Sequence, residues 1–350
     1  MHPPRGLYVK SVKPRDLSQQ VLPEPSVGVR DLTPVLLHDE TLRDGLQTPS
    51  GQDAVIDDKL EFLHLLDQIG VDSLSTGLPA AGPRAVADAT RLCREIADQG
   101  LRIRPGCAGR TVIGDVARIV DVSQAAGISV EVMTFIGSSP IRRYVEGWSL
   151  DFVRKQSSAA IRLGVAEGLP VTYVTEDTTR TPPDVLRELF IAAIDDGATR
   201  LCLCDTAGHA TPHGTKKLVE FARSVVEETG ADVGLDWHGH DDRGLSLANG
   251  LAAAEAGVDR VHGCVLGIGE RVGNTPLELM IAHLDARVLA STERDLTRLG
   301  DLCRCASRAL ARPIPTNHPL FFVDSEGDAA APSGAFRGGL SPWTRMPAGD

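Results

Sequence analysis

The 350-residue chain reads as an α/β protein, a (β/α)8 TIM barrel with an N-terminal arm and a short C-terminal extension. Three observations predict it. Short apolar segments alternate with amphipathic segments of helical period, eight times between residues 34 and 290. Repeated strand-then-helix units imply a parallel sheet with helices outside it, and eight of them in this length suit a closed barrel. Polar side chains gather at the C-terminal ends of the apolar segments, the mouth where barrel chemistry collects. A doubly wound open sheet is the competing architecture, but it has no need of eight units.

The elements follow in order. VLLHDE at 35–40 is a strand, and 53–69 a helix with Val55, Ile56, Leu60, Leu63 and Leu66 at helical spacing. VDSLSTG precedes a helix at 83–99, LRIRPGC one at 115–126, and ISVEVMTF one at 149–167. PVTYVTE precedes 182–196, TRLCLCDT precedes 213–229, VGLDWHGH precedes 244–256, and VDRVHGC precedes 274–290. Residues 1–33, rich in proline and charge, form the arm; 34–292 form the barrel. Residues 293–350 add a helix at 293–311 and a Gly/Pro-rich tail.

Composition narrows the function. With a net charge of -11 and a pI near 5.4, the chain is a poor general partner for nucleic acid or an anionic membrane. No apolar run approaches the roughly 20 residues that span a bilayer, and the N-terminus lacks the apolar core of a signal peptide. Seven scattered cysteines suggest reduced thiols and a cytoplasmic protein.

The strand ends supply the candidate site. The first strand runs into HDETLRDG, with His38, Asp39, Glu40, Arg43 and Asp44; the fourth carries Glu131 and Thr134. The fifth ends in Glu176 and Asp177, the sixth in Asp205 and Thr206, and the seventh in His238, His240, Asp241 and Asp242. Alternate strand residues share a face, so His238 and His240 both point into the mouth. Two imidazoles and a carboxylate, from Asp44 or Asp39, suit a divalent transition metal.

TLRDGLQ, GLPAAGP, SSPI, the Glu-Asp pair at 176 and 177, CDTAGHATP, HGHDDRGLSLAN and GIGERVGNTPLE together resemble the DRE-TIM metallolyase superfamily. The likeness is greatest to 2-isopropylmalate, homocitrate and citramalate synthases, and lesser to 3-hydroxy-3-methylglutaryl-CoA lyase. It covers residues 34 to 290 in order. The resemblance implies a divalent cation (Mg, Mn, Zn or Co) held by Asp44, His238, His240 and Asn274. It implies that Arg43 stabilises enolate-like charge, and that Glu176 and Thr206 contact a 2-oxo acid, with Gln47 near the same pocket. Glu131 is assigned to the substrate in place of a histidine of many relatives, with a satisfied strand-end carboxylate as the other reading. The expected reaction condenses an acyl-CoA, such as acetyl-CoA, with a 2-oxo acid. Cleavage by a related lyase or aldolase is the alternative, and a non-catalytic metal-binding relic a third reading. A homodimer is expected.

The resemblance also breaks. Relatives carry a catalytic histidine in a motif like HESGIH; here APSGAFRGG keeps Ser333 and Gly334 but has Phe336 at the histidine position. With few residues after Phe336, feedback through a large domain that senses an amino-acid end product is not expected. The lyase cysteine position aligns with Val265, next to Cys264. His209 and His262 are read as structural or solvent-facing, and Cys202 and Cys204 as core. The IRRYVEGW stretch is read as a candidate anion contact.

Overall fold

The first strand, β1 (Leu36–Asp39), hydrogen-bonds on one side to β2 (Ser73–Ser75) and on the other to β8 (Arg260–Gly263), so the sheet closes on itself. This computed structural model describes residues 34–49, 52–287 and 294–320, together with the backbone of 322–323 and 329–330. The closure runs through β3 (Arg104–Arg110), β4 (Glu131–Gly137), β5 (Val171–Glu176), β6 (Arg200–Asp205) and β7 (Gly234–Gly239), with every neighbouring pair parallel. The expected (β/α)8 barrel is therefore the observed one.

The helices come where the apolar period places them. They are α1 (Ile56–Ile69), α2 (Pro83–Gln99), α3 (Ile113–Ala126), α4 (Pro140–Glu146), α5 (Leu150–Ala166), α6 (Pro183–Asp195), α7 (Pro212–Thr229), α8 (Ser246–Ala256) and α9 (Leu277–Arg287). Their inner faces bury residues such as Leu66, Leu92, Ile119, Phe190 and Val219 against the outward-facing Leu37, Leu74, Tyr173 and Trp237 of the strands. Each such side chain contributes roughly 1.5–3 kcal/mol when removed from water. The helix expected at 293–311 is α10 (Leu299–Ala309), which packs on α1.

Two details differ from expectation. β3 and β4 begin three residues later than their apolar segments suggest, so Glu131 opens β4 instead of lying near its end. The short helix α4 stands apart from α5. Ser139 caps it by accepting a hydrogen bond from the Arg142 amide, Pro140 opens it, and Gly147 ends it in the left-handed conformation. The N-terminal arm, and Ser333, Gly334 and Phe336 of the tail, lie outside the described residues.

Candidate active site and metal centre

The turn after β1 bends tightly: the amides of Arg43, Asp44 and Gly45 all donate to the Glu40 carbonyl. This tips Asp44 over the barrel mouth. There His238, on β7, and His240, just beyond its end, meet it from across the barrel. His238 Nε2 lies 3.3 Å from Asp44 Oδ2 and 3.3 Å from His240 Nε2; His240 Nε2 lies 3.6 Å from Asp44 Oδ2. Asn274 reaches in from the loop after β8 and donates from Nδ2 to Asp44 Oδ2 at 2.7 Å. That loop depends on Gly273: its φ is +113°, and a Cβ there would come within 2.0 Å of the Gly267 carbonyl.

These residues fit a divalent cation. Asp44 is 1% and His240 4% exposed, and Asp44 Oδ1, Asn274 Oδ1 and His240 Nδ1 have no hydrogen-bond partner. Burial, with His238 adding to it, lowers the His240 pKa to about 3, so the ring presents a neutral lone pair. Burial pushes Asp44 the other way, but Arg43 and His238 outweigh it and hold the carboxylate ionised. Two imidazoles, a carboxylate and an amide form a donor set for a transition metal or magnesium.

Arg43 stands beside the cradle. Its Nε bonds Glu40 Oε2 at 2.7 Å, and its Nη2 lies 3.6 Å from Asp44 Oδ2. The open space next to it, about 500 Å³, is lined by Arg43, Asp44, Gln47, Glu176, Thr206, His238 and His240, so the expected residues from four strand ends converge. Glu176 is partly buried, which raises its pKa, while Arg142 Nε opposes that shift from 3.6 Å. Thr206 is pinned: its Oγ1 accepts from the Asp177 amide at 2.8 Å, and its carbonyl accepts from Arg271.

Arg142, Arg271, Glu40 and His262 also line the cavity. Arg142 comes from the IRRYVEGW stretch, so that segment does place a cation at the mouth. Gly137 makes room for it, since a Cβ there would meet Arg142 Cγ at 2.2 Å. Arg271 sits in GIGERVGN, where it bonds Asp242 and lines the cavity. His262, read as structural or solvent-facing, is 1% exposed and faces the barrel interior.

Several acidic candidates serve the scaffold. Glu131 is not at the mouth. At the start of β4 it accepts Arg260 Nη1 at 2.8 Å and Nη2 at 2.7 Å, together with the Thr172 hydroxyl. A carboxylate so fully paired fits the reading of a satisfied structural group. Asp39, the other candidate ligand, turns away and accepts the Thr41 amide and hydroxyl at 3.0 and 2.7 Å. Asp177 is held by Arg180, Asp205 by the amides of His209 and Ala210, and Asp241 by Ser246. All seven cysteines are buried and unpaired. Cys202 and Cys204, 1% and 3% exposed, pack at the cavity floor.

A parallel barrel whose mouth unites Asp44, His238, His240 and Asn274 with Arg43 is of the DRE-TIM class, whose members work with a divalent cation. The chain belongs to the HMGL-like family, which residues 35–305 match. It is 33% identical over 287 residues to a probable 2-isopropylmalate synthase of Methanopyrus kandleri, covering 82% of this chain and 54% of that protein. It is 34% identical to homocitrate synthase AksA of the same organism, over 81% of this chain and 68% of that one. The chain thus spans about half the length of the first of these. An HMG-CoA lyase of Acinetobacter baumannii, solved with coenzyme A and 3-methylmalate, superposes with a TM-score of 0.65 at 20% identity, over 91% of this chain and 98% of that one. That likeness is one of fold.

Proposed function

We propose that the chain joins an acyl-CoA, such as acetyl-CoA, to a 2-oxo acid in a Claisen-type condensation that gives a 2-alkylmalate-type hydroxy diacid. The observation that carries this reading is Arg43, locked by Glu40 beside the Asp44–His238–His240 cradle and open to the cavity. Asp44, His238, His240 and the Asn274 amide oxygen, after a flip of that amide, would hold the cation. A bound cation supplies Lewis-acid polarisation of the ketone. Arg43 offers a fixed guanidinium to the charge that develops on the ketone oxygen. Glu176, Thr206 and Gln47 orient the acid. The α-carbon of the thioester loses a proton and bonds to the ketone carbon, the ketone oxygen gains a proton, and water cleaves the thioester to free CoA thiol. Similarity to curated synthases across most of this chain supports this direction.

Cys264 argues against the cleavage reading. It is fully buried, does not line the cavity, and burial beside Asp44 and Asp39 pushes its thiol well above the ordinary range, so no thiolate is available. Acetyl-CoA incubated with a panel of 2-oxo acids should release free thiol. Silence across the panel with cation bound would refute the condensation. Cleavage of 3-hydroxy-3-methylglutaryl-CoA that is lost in Cys264→Ser would favour the lyase instead. We also propose a cytoplasmic homodimer; a monomer mass at micromolar concentration contradicts it.

A further inference from the structure

Inside the barrel, beneath Arg43, three side chains converge, two of them unused by the reaction above and the third, Glu40, the partner of Arg43. His38 on β1 pairs in register with His262 on β8, and Glu40 follows β1. They are 0%, 1% and 2% exposed. The far nitrogen of each ring is spoken for. His38 Nδ1 lies 2.8 Å from Ser73 Oγ, which accepts from Arg260 Nη1 at 3.3 Å and lies 3.4 Å from the Leu37 carbonyl, so a proton on Nδ1 has an oxygen to bond. His262 Nε2 lies 3.2 Å from Asp236 Oδ2, a carboxylate oxygen that only accepts. With the ring protons on those far nitrogens, His38 Nε2 and His262 Nδ1 carry bare lone pairs. Neither atom has a hydrogen-bond partner.

Both lone pairs face one oxygen. His38 Nε2 is 3.5 Å and His262 Nδ1 3.6 Å from Glu40 Oε1. The three electron-rich atoms lie within 4.8 Å of one another. Out of water they repel one another, and the Arg43 guanidinium holds the other Glu40 oxygen, not the one these rings face. The distances discriminate between a proton and a metal. A shared proton draws its two heavy atoms to about 2.7–3.2 Å. Ligands on a tetrahedral cation with bonds of about 2.0–2.1 Å stand about 3.3–3.4 Å apart. The observed separations fit the second case.

We propose that His38, Glu40 and His262 form a second cation site, for a divalent transition metal of the zinc type, distinct from the Asp44 cradle. Two nitrogens and one carboxylate select zinc or cobalt over magnesium or calcium. Ser73 and Asp236 stand where metal-bound histidines ordinarily have their outer hydrogen-bond partners. Glu40 and His262 line the cavity floor, which gives an ion a way in. The neighbouring grouping of Cys202, Asp236 and His262 does not compete, because both Asp236 oxygens already accept hydrogen bonds from Arg200 and Arg260. Since Arg43 Nε holds the other Glu40 oxygen, an ion here would brace Arg43 from below.

The test counts metal and does not depend on the condensation. The full chain is stripped with chelator and dialysed against zinc alone, and zinc per folded chain is measured by mass spectrometry. The wild type should hold about two ions, and His262→Gln and Glu40→Gln about one each. His238→Ala should also hold about one. Circular dichroism confirms folding, and His38→Gln replaces any variant that fails to fold. A wild-type count of about one that vanishes in His238→Ala overturns the proposal. So does a count of about two in both Gln variants.

Discussion

Glu131→Gln separates a scaffold residue from a substrate contact. In the wild type both Arg260 Nη atoms bond this carboxylate, at 2.7 and 2.8 Å, and burial is almost complete. Burial alone would raise the pKa, but the Arg260 charge outweighs it and brings the value from 4.5 down to about 2. That shift corresponds to about 3 kcal/mol of folded-state preference for the ionised form. Breaking a buried ion pair typically costs about 3–5 kcal/mol. Arg260 keeps Asp236, at 2.9 Å from its Nε, so the lower end applies. A loss of about 3 kcal/mol should lower the melting temperature of a barrel of this size by roughly 5 °C. The sign with pH follows from a depressed carboxyl: the contribution is fully present above about pH 4.5 and is lost as pH falls toward 2. Urea titrations of wild type and variant from pH 7 to pH 3 should therefore show the gap narrowing to about half or less at the acid end. Metal content and KM for the 2-oxo acid should stay unchanged. A variant as stable as the wild type, with a raised KM, would refute the reasoning and return Glu131 to the substrate.

His238→Ala and His240→Ala should each weaken cation binding at the Asp44 cradle by more than about 100-fold while melting close to the wild type; full retention of that cation in both variants would remove the metal assignment. Arg43→Ala should keep the cation yet lower kcat by about 10²–10³-fold, as measured by thiol release at saturating substrate; an unchanged kcat would count against its role. Asp39 is raised by burial to about 8, so the folded chain retains a proton that the unfolded chain releases, and this position destabilises increasingly as pH rises from about 4 to about 8. Asp39→Asn should accordingly gain stability over the wild type across that window, and parallel melts at pH 5 and pH 8 that show no widening gap would contradict it.

The sequence alone determined the barrel and most of its mouth. Apolar period is a local property, and eight alternations leave few topologies open. His-x-His at one strand end, RDG at another and the GN of the last loop are short patterns whose position in a barrel sends them to the same face. Strand-end position pointed to Asp44, His238, His240, Arg43, Glu176 and Thr206, while Gln47 and the ligand role of Asn274 came from the family resemblance; the structure brings Asn274 to Asp44 and lines one cavity with the others. What tertiary structure decided was the vertical position and the partner of each charge. A start shifted by three residues put Glu131 at the base of β4, where an arginine 129 positions away neutralises it. Asp39 and Asp44 read alike as acidic neighbours, yet the turn of the Glu40 carbonyl sends one to Thr41 and the other over the mouth. The facing lone pairs of His38 and His262 could not be read at all from sequence. They depend on which nitrogen Ser73 and Asp236 engage, and such long-range pairings arise only when the strands close into a ring.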